Sequence, residues 1–242
     1  MSTLPDEIIL SALLRGDVTL KGEFTWGYNY TFLTQVKDGE IEFLAVYKPQ
    51  EGEQPLWDFP DNTLAHREVA AYLVSQALGW DFVPPTVFRG DGPFGPGSLQ
   101  LFIDYDPEYH FFTFREADRQ RLRPVALFDL IINNADRKGG HIFFGSDDRI
   151  WLIDHGLCFH VEEKLRTVIW DFAGESIPED LLLDVKHFRG MLDLAGEFHP
   201  VLERHLTLEE LAAMADRTDQ LLASGCFPSP PDDRRAYPFP PV

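Results

Sequence analysis

Two apolar runs in this chain end on charged residues. Residues 131–144 read IINNADRKGGHIFF, and residues 151–156 read WLIDHG. The first run opens onto Asn134, Asp136, Arg137 and His141. The second ends on Asp154, 18 residues after Asp136, with Gly156 close behind. Carboxylates set where buried segments emerge are held rigidly enough to meet a ligand. Each aspartate alone is explained as a turn residue bonding its own backbone, but that does not account for the whole cluster. Phosphoryl transfer does. It needs a carboxylate beside the attacking hydroxyl and one or two metal ions on the ATP phosphates, together with a lysine on those phosphates held by a carboxylate from a helix.

The N-terminal half offers that last pair. Lys48 ends the β-rich run FLAVYK, and Glu68 follows 20 residues later, in the first turns of an amphipathic segment. Alone, Lys48 reads as a solvated strand-end lysine and Glu68 as a surface helix acid. With the two aspartates downstream they complete a set.

The elements that must position these residues fall into two stretches. GEFTWGYNYTFLTQVKDGEIEFLAVYKP holds two β-rich runs about Asp38-Gly39, a hairpin signal. TLAHREVAAYLVSQALG has helical spacing, with Asn62 or Thr63 to cap its start and Gly79 its end. FVPPTVF and GSLQLFID read as extended segments, so the first hundred residues are strands plus one helix. From about residue 104 helices dominate: RPVALFDLIINN starts with Pro124 in its first turn, and HIFFG and IWLID flank a second hairpin turn. Ser176–Glu179 and Thr207–Glu210 both match the capping-box pattern. The expected organisation is α+β: a β-rich lobe over 1–103, a helical lobe over 104–226 carrying the catalytic and metal-binding loops, and a Pro-rich extended tail over 227–242.

With these residues in view, the sequence resembles the phosphatidylinositol 3-/4-kinase-like atypical kinases. NNADRKGGHIFF is similar to their N-x-D-R-x-x-x-N catalytic loop and LIDHGLCF to their I-D-N-G-L-A-F or D-F-G segment. GSLQLFID resembles the hinge strand of type II phosphatidylinositol 4-kinases, and YKP their lysine strand. The likeness spans about residues 20–160 and extends to bacterial toxin-type serine kinases and a mainly actinobacterial family with the same D-R-K-G-G-H string. It implies a two-lobed protein-kinase-like fold with ATP and Mg²⁺ or Mn²⁺ in the cleft. Asp136 would orient or deprotonate the acceptor hydroxyl, and Asp154 would bind the phosphate-bridging metal. Lys48 would contact the phosphates and pair with Glu68. Gln100, Phe102 and Ile103 would line the adenine, and the turn Trp26-Gly27-Tyr28-Asn29 would cover the phosphates. One position departs from the pattern: His141 stands where the family carries a metal-binding asparagine. Three roles stay open for it: a metal ligand that suits Mn²⁺ better than Mg²⁺, the loss of one metal position, or a packed polar residue.

The bulk properties bound the partners. Forty acidic against 21 basic residues give a net charge of −19, a field that repels nucleic acid and anionic lipid headgroups. The first residues lack a basic stretch before their apolar ones, no apolar run is long enough to span a bilayer, and two cysteines do not form a disulfide framework. These features point to a cytoplasmic protein acting on a protein or small-molecule hydroxyl, without stable membrane association. The rival readings are a nucleotide-binding pseudokinase and a nucleotidyl transferase. Two motifs are set aside. Gly90-Asp91-Gly92-Pro93-Phe94-Gly95 matches the dinucleotide fingerprint, but prolines and a following strand exclude the required helix. His155, Cys158 and His160 read as packing residues rather than zinc ligands.

Overall fold

The computed structural model describes residues 4–24, 29–193, 196 and 198–242. An N-terminal helix, α1 (Asp6–Arg15), leads into β1 (Asp17–Glu23), β2 (Phe32–Asp38) and β3 (Ile41–Pro49); α2 (Leu64–Ala77) precedes β4 (Thr86–Gly92) and β5 (Gly95–Leu101). The remainder is α3 (Glu116–Gln120), α4 (Arg123–Ile132), the hairpin β6 (Ile142–Phe144) and β7 (Ile150–Leu152), then α5 (Glu179–Met191), α6 (His199–Leu202) and α7 (Leu208–Ser224). The five-stranded antiparallel sheet has the order β1-β2-β3-β5-β4, so β3, which carries Lys48, is central and its register is fixed from both sides.

The β2–β3 hairpin turns where expected, with Gly39 at φ 62° supplying the left-handed residue. The glycines of the discarded fingerprint have a structural use. Gly95 sits at φ 86° in the β4–β5 turn and its carbonyl accepts the Tyr47 hydroxyl at 2.6 Å. A Cβ on Gly92 would lie 2.6 Å from the Tyr47 ring. The segment is strand, turn and strand.

Two elements were not expected from the sequence. The helix α1 buries Ile9, Ala12 and Leu13 against Val36, Ala45, Tyr47, Val87 and Leu99, which closes one face of the sheet. The strand β1 is an exposed edge: Asp17-Val18-Thr19-Leu20-Lys21 alternates, but the stretch is short and almost wholly exposed. Two expected caps are also corrected. Thr63 occupies the N-cap of α2 without capping it; the carboxylate of Glu53 does so instead, accepting the amides of Leu64 at 3.2 Å and Ala65 at 2.9 Å. Ser176 caps nothing, because Pro178 is extended at φ −54°, ψ 143° and the helix starts after it; Ser176 bridges Cys226. The Thr207–Glu210 capping box forms in full.

The second hydrophobic core determines how Glu68 is held. Ala70, Ala71 and Val74 of α2 pack in one cluster with Leu127, Phe128 and Ile131 of α4, Phe188 of α5 and Met214 of α7. The helix bearing Glu68 is thus anchored to the helical half as well as to the sheet. A buried ion pair, Arg67–Glu210, fastens α2 to α7. Residues 227–242 contain no helix or strand, yet they lie against the body: Phe227 and Ala236 are buried, and Ala236 O accepts Thr167 N–H at 3.1 Å.

Candidate active site

Between the sheet and the helical half lies a cleft of about 590 Å³. Val46, Leu64, Leu101, Phe143 and Ile153 give it apolar walls, and Lys48, Glu68, Asp136, Lys138, His141 and Asp154 converge on it. An apolar cavity with a few convergent charged groups is the usual form of a small-ligand site.

Lys48 ion-pairs with Glu68 and donates to Asp154 Oδ1 at 3.0 Å. The second Glu68 oxygen accepts the His155 amide at 3.0 Å, so one helix carboxylate positions both the lysine and the backbone beside Asp154. Burial disfavours the Lys48 charge, but Asp154 and Glu68 outweigh it and its pKa is raised. Burial likewise opposes ionisation of Glu68, yet Lys48 draws its pKa down to about 2. The Lys48 ammonium, working against desolvation, holds Asp154 well below the ordinary carboxylate range. Glu68 is no surface acid: its side chain is only 4% exposed. Asp154 adopts φ 63°, a left-handed conformation costly for a non-glycine residue and concentrated at functional sites.

Asp136 stands apart from that triad. Its amide donates to Asn134 Oδ1 at 2.9 Å, and its carboxylate faces Lys138 Nζ at 3.4 Å. Burial pushes its pKa up to about 6, against the pull of Lys138. Such a carboxylate suits proton abstraction near neutral pH, because it is ionised there yet keeps appreciable basicity. Asn134 and Arg137 do not enter the cleft. Both are buried around Asp129, which accepts from Asn134 Nδ2 at 3.1 Å, Arg137 Nε at 3.0 Å and Thr167 Oγ1 at 3.2 Å. This buried cluster holds the backbone on which Asp136 rides.

His141 Nε2 lies 3.4 Å from Asp154 Oδ2. Burial drives its pKa down to about 4, leaving a neutral imidazole with a free lone pair at pH 7. A nitrogen and a carboxylate oxygen at this separation can share one divalent ion. Among the described residues no cluster of three or more His, Cys, Asp or Glu side chains offers a full ligand set; the pair suits an ion that takes its other ligands from phosphates and water.

Gln100, Phe102 and Ile103 line the cleft at the end of β5. The Gln100 side chain turns away to donate to Thr86 Oγ1 at 2.8 Å. The amides of Leu101 and Phe102 are spent on Pro85 O and Leu44 O; Ile103 N–H has no protein acceptor among the described residues. Asn29 borders the cleft and accepts the Gln54 amide at 2.8 Å. Trp26, Gly27 and Tyr28 lie outside the described residues. His155, Cys158 and His160 do not converge. His155 meets Arg137 at 2.9 Å, Cys158 is buried, and His160 Nε2 is 2.8 Å from Asp58 O. The sequence reading missed Lys138, legible as the cation two residues beyond Asp136, and Glu53, whose cap comes from a loop with no local signature.

No family model matches the chain. Protein Rv2133c of Mycobacterium tuberculosis is 40% identical over 95% of this chain and 94% of its own length. Phosphatidylinositol 4-kinase gamma 4 of Oryza sativa subsp. japonica is 34% identical over 44% of this chain and 22% of its own. Among solved structures, the Golgi casein kinase with Mn/ADP bound superposes with a TM-score of 0.58 at 16% identity, covering 98% of this chain and 80% of that one. The kinase-like fold is therefore shared across nearly the whole chain.

Proposed function

This chain belongs to the phosphatidylinositol 3-/4-kinase-like atypical kinases, in one family with Rv2133c, and from that premise we propose that it is an ATP-dependent phosphotransferase. The observation that carries the reading is the placement of Lys48 between Glu68 and Asp154, at the mouth of a cleft whose other charged wall is Asp136. Val46 and Phe143 would line the adenine, and Ile103 N–H would be the donor toward its edge. Lys48 neutralises phosphate charge while Glu68 fixes its position. Asp154 and His141 would hold Mg²⁺ or Mn²⁺, which supplies charge neutralisation along the phosphates. Asp136 accepts the acceptor's hydroxyl proton as the oxygen–phosphorus bond forms and the bond from the γ-phosphorus to the bridging oxygen breaks. Lys138 faces the same carboxylate.

The acceptor in this reading is a protein or a soluble small molecule. A net charge of −19 disfavours an anionic lipid surface, and no helix among the described residues is long and apolar enough to cross a membrane. One residue favours a nucleotide-binding scaffold instead: His141, in place of an oxygen donor. Lys48, Glu68, Asp136 and Asp154 favour catalysis. The test is incubation with ATP and either metal, followed by mass spectrometry of the protein and of candidate acceptors. A gain of phosphate upholds phosphotransfer, a gain of nucleotide makes the chain a nucleotidyl transferase, and binding without transfer makes it a scaffold.

A further inference from the structure

The residue between Asp154 and Gly156 belongs to none of the roles above, yet it joins them. His155 is fully buried. Its amide donates to Glu68 Oε2 at 3.0 Å, and its Nε2 lies 2.9 Å from Arg137 Nη2. Its Nδ1 faces the same Glu68 oxygen at 3.8 Å, beyond hydrogen-bond reach, and has no other partner among the described residues. A guanidinium only donates, so Nε2 must accept, and the ring proton therefore sits on Nδ1, facing Glu68. Arg137 in turn grips Asp129 at 2.9 Å and donates to Ile153 O at 3.1 Å. Phe128 fixes the ring edge-on at 6.0 Å.

We propose that His155 is a positioning residue that, as the neutral Nδ1–H tautomer, couples the Lys48–Glu68 pair to the Arg137–Asp129 cluster beneath the catalytic loop. Apart from the Lys48–Asp154–His141 contacts at the cleft surface, His155 is the buried side chain that stands between the Glu68 carboxylate and the cluster under the loop carrying Asp136. An apolar ring of similar size would fill the same space and keep the backbone amide on Glu68. It would leave Arg137 Nη2 with one acceptor fewer and remove the N–H dipole that faces the Glu68 carboxylate. The inference rests on the phosphotransfer reading for its catalytic consequence and on the geometry alone for the tautomer.

Two measurements on the full chain test it. The first is ATP hydrolysis with Mg²⁺, water serving as acceptor, for wild type, His155→Phe and His155→Gln. The phenylalanine variant is expected to lose roughly ten- to a hundred-fold in kcat, the rate equivalent of one hydrogen bond to a charged group, with KM for ATP little changed. Glutamine, whose carbonyl can accept from Arg137 and whose amide can face Glu68, is expected to recover most of that loss. A ring that only fills space predicts the reverse order. The second is nitrogen-15 NMR of the labelled imidazole in wild type, expected to place the proton on Nδ1. Wild-type kcat in His155→Phe, no recovery in His155→Gln, or a proton on Nε2 would each overturn the proposal. If wild type neither binds nor hydrolyses ATP, the phosphotransfer reading fails by itself. The tautomer then decides the coupling alone: Nδ1–H upholds it and Nε2–H rejects it.

Discussion

Lys48 and Asp154, 106 positions apart in the chain, meet at 3.0 Å, and the same ammonium pairs with Glu68 from α2. Three elements therefore place charge at one point before any ligand arrives. Such preorganisation is what a site for highly charged phosphates requires, since the dipoles and charges need not reorganise during transfer.

Removing the lysine should expose the cost of that arrangement. Lys48→Met leaves Glu68, 4% exposed, as an unpaired buried carboxylate, expected to cost about 3 kcal/mol near neutral pH. The depressed pKa of Glu68, about 2, means its stabilisation is complete above the unfolded value near 4.5 and is lost as pH falls toward 2. The melting difference between wild type and variant should accordingly be large at pH 7 and shrink in acid. A difference independent of pH would deny the pair its electrostatic role.

The two aspartates should fail in different ways. Asp154→Ala should lose metal-dependent ATP binding, whereas Asp136→Ala should bind ATP and lose transfer. Because the Asp136 pKa is about 6, transfer should fall as pH drops through that value, where the base becomes protonated. The raised pKa also means that the folded state binds this proton more tightly than the unfolded chain. Asp136→Asn should therefore be more stable than wild type at pH 7 and no more stable at pH 3.5. Identical melting differences at both pH values would show that Asp136 is not desolvated.

For His141 the measurement is a metal titration. Its Nε2 points at Asp154 Oδ2 and its ring is neutral at pH 7, so it can offer a nitrogen to a metal and wild type should work better with Mn²⁺ than with Mg²⁺. His141→Asn should move the preference toward Mg²⁺. Superimposable curves for the two proteins would reduce His141 to a packing residue.

Much of this site could be read from residue types, because the chemistry restricts which side chains can serve. A lysine ending a strand, an acid 20 residues later and two aspartates at element ends leave few alternatives. What remained hidden depends on contacts distant in sequence. Asp129, Arg137, His155 and Thr167 form one buried cluster, yet no local spacing connects them. The Glu53 cap of α2 and the packing of α1 on the sheet have the same origin. The Ser176 pattern misled because capping boxes are recognised by spacing, while Pro178 fixed the backbone in an extended form.

The Pro-rich end of the chain also showed no sign of its contacts. Pro241 O accepts the Gly139 amide at 2.7 Å, inside the loop that runs from Asp136 to His141. Deleting residues 237–242 leaves that buried amide without its acceptor, expected to cost about 1–3 kcal/mol and to lower Tm by several degrees. Transfer should slow while ATP binding persists. A truncated protein with unchanged Tm and rate would show that this contact contributes nothing.

The central claim, that the cleft takes ATP with a divalent metal, is tested most directly by thermal unfolding with and without nucleotide and metal. At millimolar ATP with Mg²⁺ or Mn²⁺, well above the dissociation constant, the native state should gain about 2–4 kcal/mol, and Asp154→Ala should lose that gain. No shift with either metal would contradict the account.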